Sequence, residues 1–177
     1  MTSTAHYESP LGGILLAADG SGLTGAWFDG QKYFSAGLPA ERTAQQTPIL
    51  TEAARWLDGY FSGQAPDFLP PLHPSGSEFQ RDVWEILLQI PYGQTTTYGE
   101  IARQLAEKRG LASMSAQAVG GAVGHNRISI FIPCHRVVGI NGSLTGYAGG
   151  IDRKVRLLEL EHADLRGIFV PRKGTAL

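Results

Sequence analysis

Residues 97–126 read TYGEIARQLAEKRGLASMSAQAVGGAVGHN. Thr97 and Glu100 stand at the S/T-x-x-E spacing of a capping box, so a helix begins at Tyr98 and runs through EIARQLAEKR. Gly110 and the small polar residues behind it break that helix, and SAQAVGGAVGHN carries another. Two short helices joined by a glycine-containing break are compatible with a helix-turn-helix. The second of them is unusual. Ala116, Ala118, Gly120, Gly121, Ala122 and Gly124 leave it almost no side chain, although a glycine inside a helix costs about 1 kcal/mol relative to alanine. Either it packs very closely against its own fold, or its bare face approaches a large partner through a groove too narrow for bulky side chains.

On either side of this stretch the pattern continues. Upstream, Ser77 and Gln80 form another capping box before EFQRDVWEILLQI, a helix that turns Phe79, Val83, Leu87 and Ile90 inward. Downstream, ISIFIP reads as a buried strand leading to Cys134. RVVGINGSLTG then reads as a hairpin on an Asn-Gly turn, and a hairpin behind a helix-turn-helix gives a winged-helix arrangement. DRKVRLLELEHA closes the unit as a helix with Asp152 as its cap.

The N-terminal third has a different character. GGILLAADGSGLTGAWF holds two apolar runs, Gly13–Ala18 and Leu23–Phe28, around a turn cluster, the mark of a small antiparallel sheet. TPILTEAARWLDGYFSG is an amphipathic helix capped by Thr47, with Pro48 in its first turn and Gly63 at its end. Its core-facing residues are Ile49, Leu50, Ala53, Trp56, Leu57, Tyr60 and Phe61. QAPDFLPPLHPSG has four prolines and no periodicity and reads as a linker. The expected fold is therefore α+β. It has a sheet-plus-helix domain over residues 1–63, a linker at 64–76, a helix-turn-helix domain at 77–165 and a tail at 166–177.

Composition bounds the function. Of 177 residues, 42% are apolar and 18% charged, as in an ordinary globular protein. The N-terminal MTSTAHYESP lacks the basic and apolar regions of a secretory signal, and the longest apolar run is far short of a bilayer span. One cysteine allows no internal disulfide and no multi-cysteine zinc site, so a reducing cytoplasm is the expected compartment and no membrane is involved. The net charge of −1 conceals a segregation: residues 1–76 carry 3 Lys/Arg against 7 Asp/Glu, whereas 100–156 carry 8 against 3. This permits an anion-binding face around the cysteine, though a charge run is usually solvated surface.

Cys134 stands between Pro133 and His135-Arg136. A lone cysteine is usually a small buried hydrophobe. An adjacent His and Arg can instead favour the reactive thiolate. In an extended chain neighbouring side chains point apart, so a direct Cys134–His135 bond of the protease kind is not expected, and a bridging water or a bend is required. A thiol hydrolase draws its base from elsewhere, and His6, His73, His125 and His162 have no telling context.

Four ordered blocks carry a resemblance: IPYGQTTTYGEIA (90–102), AVGGAVGHN (118–126), IPCHRVVG (132–139) and GSLTGYAGG (142–150). With the looser YESPLGGILLA and GLTGAWF near the N-terminus, they resemble the O6-alkylguanine-DNA alkyltransferases. The resemblance implies single-turnover repair, in which Cys134 takes an alkyl group from the O6 of guanine in duplex DNA and keeps it as a thioether. O4-alkylthymine is an additional candidate substrate. By position, His135 falls on the base acting through a water, Glu161 on the carboxylate that orients it, and Tyr98 on the hydroxyl that donates to the departing base. Asn126 falls on the residue tying the bare helix to the strand bearing Cys134. Gln117, Ala118, Gly120, Thr95, Arg136, Tyr147, Ala148 and Gly149 fall on DNA- or base-facing positions. The bare helix would enter the minor groove while the damaged base is extruded. The resemblance implies no cofactor, and a monomer in the free form.

Two departures stand out. Many family members have arginine where this chain has Gln117, which can wedge into the stack but brings no charge. Some have serine where Ala148 stands, leaving backbone N–H groups near Tyr147–Gly149 to hold the base. Members that bind zinc use N-terminal cysteines that are missing here, so no metal is expected. The competing reading is a lesion-binding regulator without chemistry, although relatives of that kind lack the cysteine.

Overall fold

The computed structural model describes residues 1–171, so part of the expected tail, 172–177, lies outside the described residues. The chain forms two units: residues 1–75 with 127–131, and residues 76–126 with 132–171 of the described chain. The whole is a mixed α+β protein, as expected.

The first unit is built on a four-stranded sheet in the order β3-β2-β1-β4. Strands β1 (Thr2–Ser9), β2 (Gly12–Ala18) and β3 (Leu23–Phe28) run antiparallel, and β4 (Arg42–Ala44) adds to β1 in parallel. Helix α1 (Pro48–Phe61) buries Leu50, Ala53, Trp56, Leu57 and Tyr60, with Ile49 and Phe61 at the margin of that face. Thr47 accepts from Leu50 N and caps the helix, as its sequence indicates.

The segment expected to be a linker is tied to this sheet. Leu23 N donates to Pro71 O (2.7 Å) and His73 N to Leu23 O (2.8 Å), so residues 71–73 cover one end of the open edge of β3. Residues 127–129 cover the next part: Ala26 N donates to Arg127 O (2.8 Å) and Ser129 N to Ala26 O (3.0 Å). An uncovered strand edge invites pairing with other chains, and these two segments close it. Prolines mark the first segment as irregular, but they do not prevent the residues between them from bonding to a strand.

The second unit packs α2 (Glu78–Leu88), α3 (Tyr98–Arg109) and α4 (Ala116–Gly124) against one another. Trp84 on α2 is buried and donates its indole N–H to Ala122 O on α4 (2.9 Å). Ser77 and Gln80 form the expected reciprocal capping box, and Ser115 caps α4. Two-residue strands β5 (Thr96–Thr97) and β6 (Val137–Val138) pair in parallel.

Three local expectations are corrected here. Residues 128–133 form no regular strand, because Ile130 adopts φ +73° and turns the chain. The Asn141-Gly142 turn forms, with positive φ at both residues, but its arms share only the bond from Gly139 N to Ser143 O (2.6 Å) and build no hairpin strands. The second arm bonds to the tail instead: Leu144 N donates to Phe169 O (2.8 Å) and Phe169 N to Gly142 O (3.1 Å). Helix α5 (Ile151–Leu160) is preceded by Gly150 at φ +93°, which places Asp152 inside the first turn, not at the cap.

Candidate active site

Pro133 sets the geometry of the site. At φ −82° and ψ 64° it makes an inverse γ-turn, closed by Cys134 N donating to Ile132 O (2.8 Å). Cys134–Arg136 then form one turn of 3-10 helix. Successive side chains on such a turn are splayed by about 120°, not opposed as on a strand. Cys134 therefore points one way while His135 and Arg136 both reach a single carboxylate on α5.

That carboxylate is Glu161, the residue closing α5. His135 Nε2 lies 2.6 Å from Glu161 Oε2. Arg136 donates through Nε to Oε1 (2.7 Å) and through Nη2 to Oε2 (3.1 Å), and its Nη1 donates to Ile90 O (2.8 Å). Gly93 N adds a bond to Oε1 (3.1 Å). Burial pushes the Glu161 carboxyl up, but the bonds from His135 and Arg136 together outweigh it and hold it below the usual carboxylate range. His135, fully buried, is pulled below its ordinary value by burial, against the pull of Glu161. The pair is therefore a neutral imidazole whose Nε2–H faces a carboxylate, and Nδ1 is the basic nitrogen.

The sulfur of Cys134 accepts from Asn126 Nδ2 (3.2 Å), and the same amide donates to Ile132 O (2.8 Å). Asn126 thus ties the end of α4 to the cysteine turn. Burial raises the Cys134 pKa, while the Asn126 bond and the charge of Lys154 act to lower it. Tyr98, at the start of α3 and buried, donates its hydroxyl to Thr145 O (3.0 Å), and burial pushes its pKa up to about 12.

The positions expected to face DNA divide. Gln117 and Ala118 are exposed on α4, and Thr95, Tyr147 and Ala148 are half-buried. Gly149 is buried. Gly120 faces the interior instead, because it shares the inner face of α4 with Val119 and Val123. The outward glycine is Gly121, where an added Cβ would meet nothing within 4 Å, and the same holds for the half-buried Gly124. Intramolecular packing therefore does not require the bareness of that face. Arg136 is 8% exposed and committed to Glu161, so it does not serve as a surface contact. Sequence reasoning missed Lys154 and the backbone groups of Gly93 and Thr145. Lys154 stands in register with Leu157, Leu158 and Glu161 at i, i+3, i+4 and i+7, so a lysine on the inward stripe of α5 was a readable signal. Among the described residues no group of three or more His, Cys, Asp or Glu is placed to hold a metal ion.

Both units are similar to known proteins. The model of the DNA-binding domain of 6-O-methylguanine DNA methyltransferase matches residues 78–163, and that of the ribonuclease-like domain of the same enzyme matches residues 4–74. A methylated-DNA–protein-cysteine methyltransferase of Methanosarcina acetivorans is 44% identical over 158 residues, covering 89% of this chain and 96% of that protein. The protein so named from Mycobacterium leprae is 45% identical over 161 residues, 91% of this chain and 93% of its own. The crystal structure of Mycobacterium tuberculosis OGT in complex with DNA gives a TM-score of 0.77 at 42% identity, covering 91% of this chain and 92% of that one.

Proposed function

The chain belongs to the 6-O-methylguanine DNA methyltransferase family, and from that membership we propose how its own residues carry the reaction. It repairs DNA by transferring an alkyl group from alkylated guanine to a cysteine of its own. Cys134, the one cysteine, is the acceptor. Its proton passes through a water to His135 Nδ1, since the opposite ring nitrogen faces Glu161. The sulfur attacks the alkyl carbon, the S–C bond forms, the C–O6 bond breaks, and the electron pair leaves on guanine. Tyr98 donates a hydrogen bond from its hydroxyl to that departing base, turning away from Thr145 O to do so, and the base is protonated from water once it has left. The thioether is stable, so each molecule acts once.

The O6 of guanine lies inside the stack, so the base is extruded at a cost of a few kcal/mol. The exposed face of α4, with Gln117, Ala118 and Gly121, lies along the minor groove, and Gln117 fills the gap left behind. Backbone N–H groups around Tyr147–Gly149 hold the extruded base, Ala148 having no hydroxyl to offer. O4-alkylthymine is a second substrate of the same chemistry, the protein acts as a monomer, and the cytoplasm keeps its thiol reduced. Among the described residues no helix is long and apolar enough to cross a membrane.

The observation that carries this reading is a lone cysteine whose sulfur is held by Asn126, next to a buried imidazole–carboxylate pair. Incubation with a duplex containing O6-methylguanine, followed by mass mapping, tests it. The peptide bearing Cys134 gains one methylene, and Cys134→Ser binds the same duplex without change. An unmodified peptide from protein that still binds the lesion makes it a sensor instead.

A further inference from the structure

Lys154 is wholly buried, and the mechanism above gives it no task. Its ammonium donates to Thr145 O (3.3 Å) and Gly146 O (3.4 Å), and among the described residues no carboxylate pairs with it. Burying a cation without an anion is costly, and a fold that needed only packing there would place an apolar residue. The other charges nearby are already matched: Arg136 is bound to Glu161, and His135 between them is neutral. Tyr98 reaches the same Thr145 carbonyl from α3, but as a neutral hydroxyl. The buried set therefore carries one positive charge in excess until some group in it becomes an anion. The group placed to do so is Cys134, on the turn against which α5 packs.

We infer that Lys154 is the counter-charge of the Cys134 thiolate, a positioning residue that makes the nucleophile available inside a buried site. This rests on the reading of Cys134 as the alkyl acceptor. When the thiol proton passes through His135 and on to solvent, the set loses one positive charge and the negative sulfur balances Lys154. When the S–C bond forms and the C–O6 bond breaks, that negative charge departs with the guanine, and the ammonium is left uncompensated beside a neutral thioether. Burial has already pulled Lys154 down to about 8, so the charge is held weakly even before the reaction.

The test compares wild type with Lys154→Met and Lys154→Arg. Thiolate formation is followed by its ultraviolet absorbance against pH in DNA-free protein, and methyl transfer from an O6-methylguanine duplex is followed in single-turnover mode. In Lys154→Met the thiolate titration moves up by about one pH unit or more, and transfer at neutral pH falls about tenfold or more. Lys154→Arg retains the wild-type titration to within a few tenths of a unit, and thermal unfolding of the Met variant is no earlier than that of wild type. A folded Met variant whose thiolate titration superimposes on wild type overturns the inference. If removing the charge prevents folding, the wild type decides: the Lys154 ammonium, observed by NMR, titrates at lower pH after Cys134 is methylated, and an unchanged titration overturns it. The absorbance readout needs no DNA, so it stands even where methyl transfer fails and the acceptor reading falls.

Discussion

Arg136 shows how a residue can belong to the site and still do a different job from the one its neighbours suggest. Two residues after Cys134, it falls by resemblance on a DNA-contact position, but the 3-10 turn aims it inward at Glu161 and Ile90 O. Its fork grips both carboxylate oxygens, which fixes the carboxylate that in turn fixes His135. Removing one partner of a buried pair leaves the other charge uncompensated, so Arg136→Met is expected to cost about 3–5 kcal/mol of stability. Arg136→Lys keeps the charge but loses the fork, and should retain most of the fold with slower transfer. Urea unfolding of both variants, with transfer rates measured against pH, checks this. A Met variant as stable as wild type would show that Glu161 is held by His135 and Gly93 alone. None of this was legible from PCHR itself, since alternation on an assumed strand predicts divergence where the turn gives convergence.

Helix α4 is where sequence and structure agree most closely, because its message is local. Small residues with no packing need for smallness at Gly121 are visible in both. The caps of α1, α2 and α3 were legible for the same reason: each rests on residues three apart. Elements defined by distant partners were not. Strand β1 reads TSTAHYES, with too few apolar residues to signal a strand, and exists because β2 and β4 flank it. The covering of β3 by residues 127–129 joins positions far apart in the chain, and no local pattern announces it. For α4 the prediction is a separation of stability from binding. Gly121→Leu places a side chain in open space and replaces a poor helix former, so thermal unfolding should move up or stay, while affinity for duplex DNA falls about tenfold or more. Gln117→Arg should steepen the salt dependence of binding by about one phosphate contact. Fluorescence anisotropy over a salt series measures both, and a Gly121→Leu protein that binds like wild type would remove α4 from the interface.

At the scale of the molecule, five of the eight basic residues in 100–156 are matched by surface carboxylates or buried. Arg103 is paired with Glu100 and Glu107, Lys108 with Asp82 and Glu85, and Arg109 with Asp82, while Arg136 and Lys154 are buried. The stretch read as an anion-binding face thus offers less bare charge than its count suggests, because much of it enters the protein's own charge balance. The same balance makes the fold sensitive to acid. His135 has an ordinary value of 6.5 and a lower one when folded, so as pH falls through 6.5 the unfolded chain takes a proton that the native site refuses. Its contribution is complete above 6.5 and is lost below it. Glu161 has an ordinary value of 4.5 and is held lower, so its contribution is complete above 4.5 and disappears as pH falls further. Both act in the same direction, in sequence, each with a limiting slope of about 1.4 kcal/mol per pH unit. Urea unfolding between pH 7.5 and pH 4 should therefore show stability bending downward near 6.5 and more steeply below 4.5. In His135→Gln the upper bend should disappear while the lower one remains. Stability that is level from neutrality to pH 5 would mean that the native site accepts the proton. His135 would then be a cation paired with Glu161 and unable to take the proton from Cys134.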